Sequence, residues 1–239
     1  MTKLSGKIAL VTGGTGALGR MVCRFLLNAE ATVIAIHSGS KNSIKILGTL
    51  GNTSSNIEGL EIDVTEEESI KSGFTGVMKQ HGRVDILCNL VGEVGEKRFI
   101  EDIPLHEWNT MMTVNLQSCF LMMKHVIPSM KKNGFGRIIN IAAMPGVTPE
   151  AMRGGYGVAK AGVVALTKTV AEEIKEYGDI TVNAIAPSII VTEENKRWGT
   201  ESEIKKWVTP DQIAEMIVHL CTDPGVAING QVINMYGKV

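Results

Sequence analysis

The feature that most constrains the fold of this chain is a regular alternation of short apolar runs with longer amphipathic segments. The apolar runs lie at 8–11, 32–36, 60–62, 84–88, 137–141, 180–185 and 231–235. The helix-like segments lie at 17–29, 66–80, 105–131, 156–177 and 210–220. Such alternation predicts parallel strands joined by right-handed helical crossovers. We therefore expect an α/β fold: a doubly wound parallel sheet of about seven strands, with helices on both faces.

Length and composition favour one folded domain. The chain has 239 residues, of which 44% are hydrophobic and 21% charged, and its net charge is −1. These values are typical of a globular domain, so we interpret 1–239 as a single domain. Because the sequence has no long basic run, we expect no nucleic-acid partner and no membrane partner.

The same inspection gives expectations about location and about the cysteines. The chain starts without a signal-peptide core, and no stretch approaches the roughly 20 apolar residues that span a bilayer, so we expect a cytoplasmic protein. The four cysteines lie far apart in apolar settings, which predicts free buried thiols. The histidines show no metal-ligand spacing, so we expect no metal site.

Two of the predicted helices carry start signals. Thr65 is followed three residues later by Glu68, which predicts a capping box. Thr209 precedes Pro210 and is followed three residues later by Gln212, which predicts an N-cap with proline at the first helical position.

A glycine-rich turn joins the first predicted strand to the first predicted helix. Glycine permits a tight turn and a close approach of the backbone to a pyrophosphate, and the helix N-terminus presents free N–H groups. In this position the turn predicts a dinucleotide-binding Rossmann fold. Its candidate cofactor-binding residues are Thr12, Gly13, Thr15, Gly16, Ala17, Leu18 and Gly19.

The end of the second strand bears on the choice of cofactor. A carboxylate there would accept the ribose hydroxyls of NAD and repel a 2′-phosphate. The sequence instead has His37 and Ser38, followed by Lys41, and no acidic residue. This favours NADP(H), with NAD(H) as the alternative.

Further motifs follow the later strands in a fixed order. They are Asp63-Val64, Asn89-Leu90-Val91-Gly92, Asn115 within Thr-Val-Asn-Leu, Tyr156 with Lys160 as Tyr-x-x-x-Lys, and the segment 187–192 with Pro187, Ile190 and Thr192. With the glycine turn, this series resembles the classical short-chain dehydrogenase/reductase family over essentially the whole chain. The resemblance is strongest to 3-oxoacyl-[acyl-carrier-protein] reductases and carbonyl reductases.

The resemblance implies a function and a set of roles. A hydride would pass between NADP(H) or NAD(H) and a small-molecule carbonyl or alcohol substrate, and the protein would be a homodimer or homotetramer. Tyr156, Lys160 and Asn115 would be the catalytic residues, with Asn115 holding a water of a proton relay. The cofactor would also contact His37, Ser38, Asp63, Val64, Asn89, Val91, Gly92, Tyr156, Lys160, Pro187, Ile190 and Thr192.

The spacing of Tyr156 and Lys160 supports acid–base chemistry. Residues four apart lie on one face of a helix, so the two side chains can share a site. A tyrosine with a pKa near ~10 is a poor base at neutral pH. We therefore expect the neighbouring ammonium to stabilise the phenolate and to lower the pKa of Tyr156.

The chain departs from the family at one position that matters chemically. The family has a serine thirteen residues before the tyrosine, which hydrogen-bonds the reacting oxygen, and here that position is Ala143. Loss of one oxyanion donor typically costs about 10²–10³ in rate. Three explanations remain open: another donor such as Thr148 or a backbone N–H replaces it; the substrate develops little charge, as in dihydropteridine reductases, which have alanine here and reduce a quinonoid ring; or the chain binds nucleotide without catalysis.

The segment 193–208 corresponds to the family's mobile substrate lid. It is short and charged, and it carries Trp198 and Trp207. An aromatic side chain there can stack on a planar substrate, so Trp198 is a candidate substrate residue together with Ala143 and Thr148. The alternative is that the two tryptophans pack the lid onto the rest of the protein.

Overall fold

The structure, a computed structural model, describes residues 3–51 and 56–239. In these residues it contains one seven-stranded parallel sheet with the strand order β3-β2-β1-β4-β5-β6-β7. Strands β1 to β7 are, in order, Ile8–Val11, Thr32–His37, Ile57–Glu61, Ile86–Asn89, Phe135–Ile141, Asp179–Pro187 and Val232–Met235. Every predicted strand is present, with ends shifted by a few residues, so the predicted α/β class is confirmed.

Helices cover both faces of the sheet. Helices α1 to α9 are, in order, Ala17–Asn28, Lys41–Gly51, Glu67–His81, Leu105–Met112, Ser118–Asn133, Met144–Val147, Gly154–Ile174, Glu201–Ile204 and Pro210–Cys221. Apolar side chains of α3, α5 and α7 pack into the core on one face. Those of α1, α2 and α9 pack on the other. The doubly wound arrangement follows from strands whose side chains are buried on both faces.

One local prediction is wrong and another is incomplete. Thr65 and Glu68 do not form a capping box, because both the N–H and the hydroxyl of Thr65 donate to Asp63 Oδ1, and Glu66 is the N-cap of α3. The predicted helix at 105–131 is present, although that prediction missed the π-helical turn at Thr113–Gln117 between α4 and α5. By contrast, the N-cap at Thr209 is confirmed, since Thr209 and Gln212 form a complete capping box.

Helix α2 was not predicted. Its start depends on Ser40, whose hydroxyl accepts a hydrogen bond from the N–H of Ser43 at 3.1 Å. A serine in this role satisfies one of the free N–H groups of the first turn. The helix matters for the site because its N-terminus lies directly after the turn that ends β2.

The strand order reverses direction between β1 and β4, and ligands of doubly wound sheets bind beyond the carboxyl ends of the strands at such a point. A buried polar network joins the central strands to α7 here: Asn89 Nδ2 donates to Asn140 Oδ1 at 2.9 Å, and Asn140 Nδ2 donates to Thr167 Oγ1 at 3.0 Å. The network fixes β4, β5 and α7 relative to one another.

The four cysteines are free and buried, as predicted. Burial raises the pKa of the Cys23, Cys119 and Cys221 thiols to about 12, which keeps them protonated. None of the helices in the described residues is long and apolar enough to cross a lipid bilayer.

Candidate active site

The glycine turn after β1 is closely packed against its surroundings. Gly13 has φ +63°, in the left-handed region that favours glycine. A Cβ on Gly19 would overlap the carbonyl oxygen of Gly13, and a Cβ on Gly14 would lie 2.8 Å from Cβ of Ala35. These contacts allow α1 to begin immediately beside the strand ends.

The N-terminus of α1 has no side-chain cap. Gly16 is its N-cap, and no side chain accepts a hydrogen bond from the first turn. Its free N–H groups and partial positive charge are what a phosphate binds at a helix N-terminus. Ala17, which stands in place of a family glycine, is the first residue of this helix, so its backbone does not need the conformational freedom of glycine.

Thr12 joins the ends of β1 and β4. Its hydroxyl accepts hydrogen bonds from the N–H groups of Leu90 at 2.9 Å and Val91 at 3.3 Å. Its side chain is buried, and the hydroxyl also lies 3.4 Å from the carbonyl oxygen of Cys88. The Thr12 hydroxyl therefore holds these two strand ends together, and the contact of Thr12 with the cofactor stays a prediction.

The end of β2 carries a cluster of hydroxyl groups. His37 is buried and its Nδ1 accepts the N–H of Gly39, while Ser38 is exposed. The hydroxyl of Thr15 donates to that of Ser43 at 3.1 Å, and Ser40 and Ser43 are 2.9 Å apart. The cluster connects the glycine turn with the N-terminus of α2.

Sequence reasoning missed an acidic side chain at this place. Glu61 ends β3 in register with His37 at the end of β2. A Cβ on Gly39 would overlap the carboxylate of Glu61, so that carboxylate lies against the turn after β2. Glu61 follows His37 by 24 residues in the sequence, and only the pairing of β2 with β3 brings Glu61 to the end of β2.

Several of the predicted cofactor-binding residues line a small cavity. Thr12, Val64, Asn89, Val91 and Ser118 are among its lining residues. Asn89 Oδ1 is buried without a hydrogen-bond partner in the described structure. Asp63 is exposed beside it, and hydrogen bonds from Thr65 hold the pKa of its carboxyl below the usual value.

Tyr156 and Lys160 lie on the first turns of α7, and Lys160 Nζ is 5.9 Å from the centroid of the Tyr156 ring. Lys160 is buried and donates to the carbonyl oxygen of Ile141, the last residue of β5, at 2.8 Å. The side chains therefore share a site at the carboxyl edge of the sheet, as their spacing predicted.

The expected lowering of the pKa of Tyr156 by Lys160 is wrong for this structure. Burial raises the pKa of Tyr156 to about 12, and the charge that acts against this rise belongs to Arg153. Burial also lowers the pKa of Lys160 to about 8. The lysine points towards a backbone carbonyl, and its own desolvation weakens the ammonium that the expectation relied on.

Asn115 lies in the π-helical turn and is buried. Its Nδ2 donates to the carbonyl oxygens of Glu93 at 2.9 Å and Met111 at 3.1 Å, and its Oδ1 accepts the N–H of Glu93. A Cβ on Gly92 would lie 2.8 Å from Asn115 Oδ1 and 3.0 Å from Lys160 Nζ. Asn115, Lys160 and the loop after β4 are thus brought together, and π-helical turns often occur at functional sites.

Ala143 is buried directly after β5, where it is the N-cap of the short helix α6. Thr148 is exposed at the other end of that helix, and its N–H donates to the carbonyl oxygen of Met144. No hydrogen bond of the Thr148 hydroxyl occurs within the described residues.

The predicted lid leaves and rejoins the rest of the protein at one place. Val191 N–H donates to the carbonyl oxygen of Val208, and Val208 N–H donates to that of Ile189. Within the lid, Trp207 is buried, and Trp198 is 61% exposed with its ring centroid 4.9 Å from that of Trp207. Pro187 and Ile190 lie at the start of this excursion, and Thr192 Oγ1 accepts the N–H of Asn195.

Comparison with known proteins agrees with the fold. The family model for short chain dehydrogenases matches residues 7–203. D-beta-hydroxybutyrate dehydrogenase of Rhizobium meliloti is 33% identical over 254 residues, with 97% of each chain covered. The 3-oxoacyl-[acyl-carrier-protein] reductase FabG of Aquifex aeolicus is 30% identical over 244 residues, with 98% of each chain covered. The crystal structure of gox2181 has a TM-score of 0.92 at 27% identity, covering 98% of this chain and 96% of that one.

A parallel α/β sheet with a glycine turn and a Tyr-Lys pair at its carboxyl edge defines the class of dinucleotide-dependent oxidoreductases. The chain belongs to the short-chain dehydrogenase family. It is therefore an oxidoreductase that uses a nicotinamide dinucleotide.

Proposed function

We propose that the chain transfers a hydride between NADP(H) or NAD(H) and the carbonyl or alcohol group of a small molecule, with Tyr156 as the proton donor or acceptor. The observation that carries the proposal is the placement of Tyr156 and buried Lys160 on one helix at the carboxyl edge of β5. Relatives named for reduction of a 3-oxoacyl group and for dehydrogenation of D-beta-hydroxybutyrate support this substrate class.

The residues beyond β1 suit a dinucleotide. The uncapped N-terminus of α1 and the left-handed Gly13 provide a place for the pyrophosphate. We infer that Lys160 holds the nicotinamide ribose. When bound, the cofactor supplies the hydride chemistry, while the protein supplies binding, orientation and the proton.

The raised pKa of Tyr156 suits the role of proton donor when a carbonyl group is reduced. Because its pKa is raised to about 12, the phenol carries its proton at neutral pH and can donate it to a carbonyl oxygen. Lys160, with a pKa of about 8, is still mostly protonated at pH 7. Asn115 acts by holding the loop after β4 against Lys160, and a relay water beside it completes the proton path.

NADP(H) is the proposed preference. The hydroxyls of Thr15, Ser40 and Ser43 surround the start of α2, and Ser38 and Lys41 are exposed beside them. Hydroxyl donors and a helix N-terminus favour a phosphate. Glu61 is the group that acts in the opposite sense.

Ala143 bears on the choice of substrate. Its methyl group cannot donate a hydrogen bond to the reacting oxygen. The second candidate function, reduction of a quinonoid ring in the manner of dihydropteridine reductases, is favoured by this residue and by exposed Trp198. A chain that binds nucleotide without turnover is the third.

The chain is proposed to act as a homodimer or homotetramer, with 1–239 as one domain and 193–208 as its substrate lid. Apolar residues that remain exposed on α4, α5 and α7 support self-association: Leu105 is 74% exposed, Phe120 45% and Val158 50%. Val163 and Val170 of α7 are buried in the core of the subunit, so they are not available for contact between subunits.

The experiment that tests the proposal has two parts. NADPH and NADH are titrated into the purified chain with nucleotide fluorescence as the readout. Turnover is then measured with a 3-oxoacyl thioester, a free 3-oxo acid and a quinonoid dihydropterin. Turnover of a carbonyl substrate supports the proposal, turnover of the dihydropterin alone supports the second candidate, and tight binding without any turnover supports the third.

A further inference from the structure

Glu61 is placed where it can contact the adenosine ribose of the cofactor. It lies at the carboxyl end of β3, beside the end of β2, and its carboxylate lies against Gly39. Gly39 has φ +76°, so its left-handed conformation also favours glycine. The ribose of a dinucleotide lies beyond the end of this second strand in doubly wound folds.

The carboxylate is open to a ligand. Glu61 is exposed, and across residues 3–51 and 56–239 it forms no ion pair and accepts no hydrogen bond. The other groups of the turn are already engaged: Gly39 N–H donates to His37 Nδ1, and Ser40 Oγ accepts the N–H of Ser43. An ionised carboxylate has about four acceptor positions, which suits two adjacent ribose hydroxyls.

The same carboxylate acts against a phosphate. A 2′-phosphate at this turn gains hydrogen bonds from hydroxyls and the N-terminus of α2, but it meets the negative charge of Glu61. The Glu61 carboxylate and the phosphate would repel each other, and salt weakens this repulsion because both charges lie near the protein surface. The cofactor preference is therefore the difference between two opposing contributions.

Resting on the proposed function, which assigns this turn to the cofactor, we propose that Glu61 is the residue that limits the preference for NADP(H). Its carboxylate accepts hydrogen bonds from the adenosine ribose of NAD(H) and weakens binding of the 2′-phosphate of NADP(H). The acid that discriminates the two cofactors thus comes from the end of β3 instead of the end of β2. The consequence is a chain that binds both nucleotides with only a modest preference.

The test compares the dissociation constants of NADPH and NADH for the wild type, Glu61→Gln and Glu66→Gln. Glutamine keeps the size of the side chain and removes the charge, and Glu66 is an exposed acid nearby with no ion pair in the described residues. We expect Glu61→Gln to bind NADPH about tenfold more tightly and NADH severalfold more weakly at low salt. The gain for NADPH shrinks at 0.5 M salt, a concentration at which the screening length falls to about 4 Å. Glu66→Gln stays within about twofold of the wild type.

An unchanged ratio of the two constants in Glu61→Gln, with the wild type binding at least one nucleotide, overturns the assignment of Glu61. Failure of the wild type to bind either nucleotide is a different result, since it overturns the proposed function itself. Equal shifts in Glu61→Gln and Glu66→Gln also overturn the assignment, because they would report net charge instead of contact.

Discussion

Replacing Lys160 by methionine is expected to stabilise the protein at neutral pH while removing its activity. Lys160 is 3% exposed, and burial lowers its pKa from 10.5 to about 8. At roughly 1.4 kcal/mol per pKa unit, holding its charge in the folded state costs about 3 kcal/mol. The substitution also removes the hydrogen bond to Ile141, which offsets about 1 kcal/mol of the gain in stability. The net gain of about 2 kcal/mol corresponds to a rise in Tm of about 4–8 °C for a chain of this size.

The pH dependence of that gain identifies its cause. Below pH 8 the lysine is protonated in both the folded and the unfolded protein, so the full cost is present. Between pH 8 and 10.5 the unfolded chain binds a proton that the folded protein has lost, so the free energy of unfolding of the wild type rises with pH. The advantage of Lys160→Met therefore shrinks through this window and changes sign before its upper end, where the wild type keeps its hydrogen bond without the cost of a buried charge.

The measurement is urea or thermal unfolding of both proteins at pH 7, 8.5 and 10. Lys168→Met is the matched control, because Lys168 is exposed on the same helix, and it should change stability by less than about 0.5 kcal/mol at every pH. A Lys160→Met protein that is less stable than the wild type at pH 7, or a difference that does not change with pH, refutes the reasoning.

Two other substitutions test the site. Thr12→Val should destabilise the protein by about 1–3 kcal/mol in urea unfolding, because the N–H groups of Leu90 and Val91 lose a buried acceptor, whereas Thr75→Val on exposed helix surface should have little effect. A stability equal to the wild type would mean that these strand ends do not depend on Thr12. Ala143→Ser should raise kcat for a carbonyl substrate by about 10–10²-fold, because it restores a donor to the reacting oxygen. An unchanged kcat would show that another donor is present or that little charge develops on the oxygen.

The strands and the order of the motifs were predictable because they depend on local pattern. A short apolar run between two helix-like segments predicts a buried strand of a parallel sheet. The glycine turn follows the first of these runs in the sequence. Helix α2 was missed because its start rests on one serine cap and its sequence contains two glycines, which disfavour a helix. The Thr65 capping box failed because Asp63, two residues earlier, binds the same side chain.

The sequence predicted which residues form the site better than it predicted their pKa values. Spacing alone placed Tyr156 and Lys160 on one face of α7, but the pKa of each depends on burial, which the sequence does not give. Glu61 was missed for a related reason, since only the register of β2 with β3 brings it to Gly39. A local sequence pattern does not show which strands are neighbours in the sheet or in which register they pair.

The most direct test of the central claim is hydride transfer by Tyr156→Phe compared with the wild type and with Tyr177→Phe, an exposed tyrosine beyond the end of α7. With a substrate that the wild type turns over, Tyr156→Phe should lose about 10²–10⁴ in kcat and bind the nucleotide within about twofold of the wild type. Tyr177→Phe should match the wild type in both measurements. A Tyr156→Phe protein that retains full kcat would contradict the account, because the proton would then come from another group.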